Sequence, residues 1–265
     1  MSAAALQPAP GGLLALDGVT QRFGGLVAVN DLSFAIRAGS IVAMIGPNGA
    51  GKSTVFNLIT GIYRPTAGHI VFDGAEIAGR NTSAIAAAGI ARTFQNIRLF
   101  AFMSALDNVM TGEHARLRAN LVDALLHTPR QRKEEAVARE RALELLRFVG
   151  LERSAENMAH NLPYGSQRRL EIARALASNP KLLLLDEPAA GMNPSEKQDL
   201  IVLIRRIRDE RGVTVFLIEH DMGLVMEVSE RITVLDHGEK IAEGDGPTIR
   251  NDPKVIEAYL GAPTT

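Results

Sequence analysis

No cysteine occurs among the 265 residues. Disulfides, thiolate nucleophiles and cysteine-ligated metals are therefore excluded, and a reducing compartment suits the chain. A charge imbalance is also missing, since 29 Lys and Arg stand against 30 Asp and Glu for a net charge of -1. Bulk charge thus gives no reason to expect nucleic acid as a partner. The longest apolar runs, such as Leu182 to Leu185, fall far short of the roughly 18 residues that cross a bilayer. Any work at a membrane then belongs to a peripheral subunit. The opening "MSAAALQPAPGG" has neither a basic region nor an apolar stretch of signal length, so residues 1–12 read as a disordered tail ahead of one domain at 13–265.

The composition that remains, 46% hydrophobic and 22% charged, suffices for one large core. Short β-branched runs alternate with amphipathic stretches, which predicts an α/β fold with a mainly parallel core sheet. Its expected strands are "SIVAMIG", "HIVFDG", "LLLLDEP", "TVFLIEH" and "RITVLDHGEKIAEG". Upstream, "LLALDGVTQRFGGLVAVNDLSFAIRAG" reads as antiparallel strands forming a β layer beside that sheet. Between Phe100 and Asn161 the strand pattern vanishes, and Ala142, Leu145, Leu146 and Val149 share one helical face. A helical subdomain inserted at about residues 97–162 is the expectation, with its charged face solvated.

The segment "GPNGAGKST" comprises Gly46, Pro47, Asn48, Gly49, Ala50, Gly51, Lys52, Ser53 and Thr54. It follows an apolar strand and precedes a helix, so it matches the phosphate-loop pattern in the context that pattern requires. Its glycines let successive N–H groups turn inward at a helix N-terminus, where negative charge is favoured. A triphosphate is the expected occupant, with Lys52 on the β- and γ-phosphates and the Ser53 hydroxyl on Mg2+. The run "LLLLDEP" places Asp186 at the carboxyl end of a buried strand, where open α/β sheets bind ligands. Asp186 is then the residue for the Mg2+ shell. Its neighbour Glu187 is the candidate to polarise an attacking water.

The phosphate loop, "LLLLDEP" and the preceding "LPYGSQRRLEIARAL" stand in an order that resembles the P-loop ATP-binding subunits of ABC transporters, from about Leu14 to Gly261. That resemblance implies an ATPase with an ABC-type nucleotide-binding domain. It implies roles for residues that are otherwise ambiguous: Gln95 on Mg2+ or the lytic water, His220 on the γ-phosphate, and Phe23 stacked on adenine. The loop "AAGMNP" would pass between subunits, with Asn193 where Asp is more usual. The site would be completed in trans, by a segment that here departs from the family pattern. Pro163 replaces the usual Ser and Tyr164 the usual Gly, so the trans contact falls to Gly165, Ser166 and Gln167 at the start of a helix with Leu170, Ala173 and Leu176 inward.

Five stretches, "RFGGLVAVNDLSF", "IARTFQNIRLF", "YGSQRRLEIARAL", "LDEPAAGMNP" and "VIEAYLG", resemble the longer ATPase of branched-chain amino acid importers. Implied partners are a second, unlike ATPase subunit or a second copy arranged head to tail, two permease subunits and, indirectly, an external binding protein. A helical extension at 112–135 and a peripheral place on the cytoplasmic face of the cell membrane follow from the same resemblance. Apolar Ile97, Leu99, Phe100 and Phe102 form either a groove for a permease helix or part of the subdomain core. Importers of urea or short amides and a lipopolysaccharide exporter share part of this pattern. A soluble ABC ATPase acting on nucleic acid or the ribosome usually carries tandem domains or a long coiled coil, and this chain has neither. A regulator that binds nucleotide without hydrolysis is disfavoured by Glu187, Gln95 and His220.

Overall fold

The computed structural model describes residues 12–113 and 129–260. Both the N-terminal tail and most of the segment 112–135 lie outside the described residues. Six strands form the central sheet in the order β10-β9-β3-β8-β7-β6: β3 (Ile41–Ile45), β6 (Ile90–Arg92), β7 (Leu182–Asp186), β8 (Thr214–Ile218), β9 (Arg231–Asp236) and β10 (Glu239–Gly244). All neighbours are parallel except the edge pair β9 and β10. A second, antiparallel sheet has the order β2-β1-β4-β5, from β1 (Gly12–Phe23), β2 (Leu26–Arg37), β4 (Ala67–Phe72) and β5 (Ala75–Glu76).

The apolar runs that predicted central strands are buried on both faces. In β7, Leu183 and Leu185 face one core while Leu182 and Leu184 face another, and β3 and β8 divide their residues in the same way. A sheet covered on both sides has no reason to alternate polar with apolar residues, which is why these strands read as continuous runs. One face carries the antiparallel sheet and α1 (Lys52–Ile59). Here Phe216 of β8 meets Phe34 of β2 and Phe56 of α1 edge-on, at centroid distances of 5.7 and 5.0 Å. The opposite face carries α3 (Ala105–Glu113), α4 (Pro129–Phe148), α5 (Tyr164–Ala177), α6 (Pro194–Arg211) and α7 (Met222–Val228).

Two expected strands are placed differently. "HIVFDG" is β4 and pairs with β1 in the antiparallel sheet, where only alternate residues Ile70 and Phe72 need burial. "RITVLDHGEKIAEG" is a hairpin rather than one strand, because His237 and Gly238 both adopt left-handed φ angles, 45° and 84°, and reverse the chain between β9 and β10. The short helix α2 (Thr82–Ala88) and the three-residue strand β6 were not expected at all. Between residues 97 and 162 the described part holds α3, α4 and two single 3-10 turns, and no named strand. The predicted face of α4 is buried: Ala142, Leu145, Leu146 and Val149 are at most 4% exposed. Helix α8 (Gly246–Arg250) and helix α9 (Pro253–Leu260) follow the hairpin.

Phe216 is 1% exposed and joins three elements. Phe216→Ala is therefore expected to lower unfolding free energy by about 3–5 kcal/mol, read from the midpoint of denaturant-induced unfolding.

Candidate functional site

The phosphate loop leaves β3 at Ile45 and enters α1 at Lys52. A side chain at position 46 is impossible without rebuilding, since a Cβ there would lie 2.0 Å from the Leu235 carbonyl oxygen. No side chain caps α1 and no acidic residue sits in its first turn, so its N-terminal amides and dipole are left for an outside anion. The loop's outward carbonyls have partners of their own. Lys52 Nζ donates to the carbonyls of Gly46 and Pro47 at 2.7 and 2.9 Å, and the Gly238 amide donates to Ala50 at 3.0 Å. Burial pushes the Lys52 pKa down, and the nearby charges of Glu187 and Asp186 oppose that shift.

The loop forms one wall of an open cleft of about 610 Å³. Phe23 and Leu26 to Ala28 come from the antiparallel sheet and Asn48 to Thr54 from the loop and α1, while Gln95, Glu187 and His237 complete the lining. Phe23 is 41% exposed, with its ring edge-on to Tyr63 at 5.1 Å. The structure thus brings Phe23, most of the phosphate loop, Gln95 and Glu187 into one space. Gly46 and Pro47 form the root of that wall. Leu26, Val27, Ala28 and His237 were missed, because nothing in a β turn or a strand edge signals which distant loop it will face.

The adjacent carboxylates have opposite surroundings. Asp186 is buried and its Oδ2 accepts from Arg92 Nη2 at 2.7 Å. Arg92 also donates to Asn57 Oδ1 at 2.7 Å and lies between the rings of Phe56 and Phe94. Glu187 turns the other way by adopting φ 46°, a left-handed conformation that costs a non-glycine residue about 1–3 kcal/mol. Its Oε2 accepts from Gln95 Nε2 at 2.8 Å, and His220 Nδ1 stands 3.7 Å from the same oxygen. Behind them Glu219 is 1% exposed and accepts from the amides of Ala189, His220 and Asp221, while burial pushes its pKa up. The network is that of a strained carboxylate held toward a cleft by an amide side chain, with a histidine at its shoulder.

Oxygen donors suited to Mg2+ are present in this cleft. The Ser53 hydroxyl is exposed, and Gln95 keeps its side-chain carbonyl free because its amide nitrogen serves Glu187. Among the described residues no group of three or more His, Cys, Asp or Glu converges.

Residues Gly165, Ser166 and Gln167 do not line the cleft of their own chain. They open α5, whose N-terminus has no side-chain cap because its N-cap is Pro163. Gln167 is engaged locally, its amide with Pro163 and its side chain with the Leu162 carbonyl. Gly165 is buried, and a Cβ there would lie 2.5 Å from Glu196 Oε1, so a side chain at this position would have to displace that carboxylate. That carboxylate belongs to the capping box of α6, in which Asn193 Oδ1 accepts from the Glu196 amide at 3.0 Å. Asn193 thereby performs a capping task.

Arg92 and Asp186 have side chains 9% and 7% exposed, and removing one partner of such a pair leaves a buried charge unmatched. Arg92→Leu is expected to destabilise the protein by about 3–5 kcal/mol in denaturant unfolding, and adding Asp186→Asn to recover part of that loss.

Comparison with known proteins places this geometry. The family described as ABC transporter matches residues 29–190, and the family described as branched-chain amino acid ATP-binding cassette transporter matches residues 239–264. The chain is 49% identical to the high-affinity branched-chain amino acid transport ATP-binding protein BraF of Pseudomonas aeruginosa, over 94% of this chain and 98% of that protein. It is 47% identical over the same shares to the protein LivG of Escherichia coli, which bears the same description. A crystal structure of the ADP conformation of an ATP-binding cassette of an ABC transporter superposes with a TM-score of 0.82 at 31% identity, covering 95% of this chain and 99% of that one. A dimeric cassette in a post-hydrolysis state with ADP and Pi superposes with a TM-score of 0.73 at 29% identity, covering 88% and 98%. With a family match over more than half of its length and relatives nearly half identical across it, the chain belongs to the ATP-binding cassette ATPases of ABC transporters.

Proposed function

We propose that this chain energises uptake of branched-chain amino acids, as an ATPase subunit attached peripherally to the cytoplasmic face of the cell membrane. The observation that carries the reading is 49% identity over nearly the full length of a branched-chain amino acid transport ATP-binding protein. The family match at residues 239–264 supports it at the C-terminal end. No helix among the described residues is long and apolar enough to cross a membrane. In this reading partner permeases carry the solute.

In this reading ATP lies along the cleft, adenine against the free face of Phe23 and phosphates on the amides of Gly49 to Ser53. Lys52 exchanges its bonds to the Gly46 and Pro47 carbonyls for phosphate oxygens. Ser53, Gln95 and Asp186 would hold Mg2+, which would supply charge neutralisation for the phosphates. Glu187 takes the proton of the attacking water, and His220 and Gln95 fix that carboxylate and the γ-phosphate relative to one another. The trans site is closed by the α5 N-terminus of a second ATPase subunit, through the amides of Gly165 and Ser166. An isolated monomer therefore binds nucleotide and hydrolyses it poorly.

Permease docking is supported by a second groove of about 450 Å³, lined by Ile62, Ile85, Phe94 and Phe100 among others. Beside it Phe100 and Phe102 stand 53% and 84% exposed, whereas Leu99 packs on the core. An apolar helix end has somewhere to seat there.

Reconstitution in vesicles with the neighbouring permeases and binding protein tests the proposal. Labelled leucine should accumulate on ATP addition and labelled urea should not; the reverse result would overturn the solute class. Glu187→Gln is expected to lower turnover by about 10²–10⁴-fold while ATP binding persists, and unchanged turnover would remove Glu187 from the role of base. Phe23→Ala is expected to weaken ATP binding by about 1–3 kcal/mol, measured by titration calorimetry on the single subunit.

A further inference from the structure

Arg168 is the largest fully buried side chain described, and neither the phosphate loop nor the trans contact uses it. It pairs with Glu171 one turn along α5, at 2.8 Å, with the two side chains 0% and 2% exposed. Two buried charges that merely neutralised each other would give little net stability over an apolar pair. What this pair does instead is grip another segment. Arg168 Nη1 donates to the Phe94 carbonyl at 2.6 Å and Nη2 to the Gln95 carbonyl at 2.7 Å. Glu171 Oε1 accepts from the amides of Phe94 and Arg98 at 3.4 and 3.3 Å. Four main-chain groups on either side of the Gln95 side chain are therefore fixed to α5.

The same helix is fixed at its start. The Tyr164 hydroxyl accepts from Arg168 Nη2 at 3.2 Å, and the Tyr164 ring abuts Gly191, where an added Cβ would lie 3.3 Å from Cε1. Tyr164 thus ties the loop after Glu187 to the helix that holds Gln95. A glycine at position 164 could do neither.

We propose that Arg168 and Glu171 are positioning residues that lock Gln95 to α5, so that the lytic-water glutamine of one site and the trans phosphate contact offered to the other site move as one rigid body. The inference rests on the proposed ATPase reading. Its functional content is that arrival of a γ-phosphate at one subunit's α5 shifts Gln95 in that subunit's own cleft. A planar guanidinium that donates to two successive carbonyls can transmit such a displacement, because both bonds must move together.

The test is a mutant cycle on the reconstituted transporter. Arg168→Met with Glu171→Met replaces the pair by apolar side chains of similar volume, a change that commonly preserves folding. Turnover is expected to fall about ten- to a hundredfold, with the KM for ATP and nucleotide binding by the single subunit within about twofold. Gln95→Ala added to that background should cause little further loss, because the pair acts through Gln95. Multiplicative losses in the triple variant, or parental turnover in a folded pair variant, would overturn the proposal. Should the double substitution unfold, Arg168→Lys keeps the charge but not the fork, and the same non-additivity with Gln95→Ala is required of it. Parental protein whose turnover is indifferent to Gln95→Ala would instead refute the underlying ATPase assignment of Gln95, a distinguishable result.

Discussion

The Gly238 amide donates to the Ala50 carbonyl at 3.0 Å, while the Gly238 carbonyl accepts from Asn30 at 2.9 Å. A loop that aims its N–H groups inward at an anion must aim carbonyls outward, and each of those needs a donor when buried. The β9–β10 turn supplies one donor and Lys52 supplies the others. Because Asn30 lies in β2, the same turn anchors the phosphate loop to both sheets at once. The cleft is lined by residues of the antiparallel sheet on one side and of the phosphate loop on the other.

Charge is sorted across the site by backbone conformation. Asp186 continues the direction of β7 into the interior, where Arg92 matches it. One residue later a left-handed turn sends Glu187 to the cleft, and the Ile218 carbonyl accepts its amide at 2.9 Å to hold the turn in place. The strain is local, and the parallel register of β7 with β8 fixes it. Burial pushes the Lys52 pKa down, and the charges of Glu187 and Asp186 oppose that shift.

Contiguous chemistry was legible in the sequence. The phosphate loop, the Asp186 and Glu187 pair and the buried face of α4 are each set by neighbours in the chain, so residue type and spacing sufficed. Membership of a sheet is not local, which is why β4 read as a central strand and the three-residue β6 went unread. Arg92, Arg168 and Glu171 were illegible for a related reason. In a helix rich in charge, or beside a strand end, a buried arginine has the same letter as a solvated one, and only its partners distinguish them. The family resemblance placed Gln95, His220 and Phe23 where adjacency in the chain could not, and the fold brings Gln95 and Phe23 to the cleft and His220 to Glu187.

The Glu196 amide donates to the capping Asn193 Oδ1, its carboxylate accepts from the Asn193 amide, and that carboxylate lies against the α carbon of Gly165. Two stretches 31 positions apart in the chain therefore form a single unit of variation. A side chain gained at 165 would displace the Glu196 carboxylate, and that displacement would release the Asn193 amide it accepts at the start of α6. The opening of α5 and the cap of its neighbour are thereby coupled through one side chain.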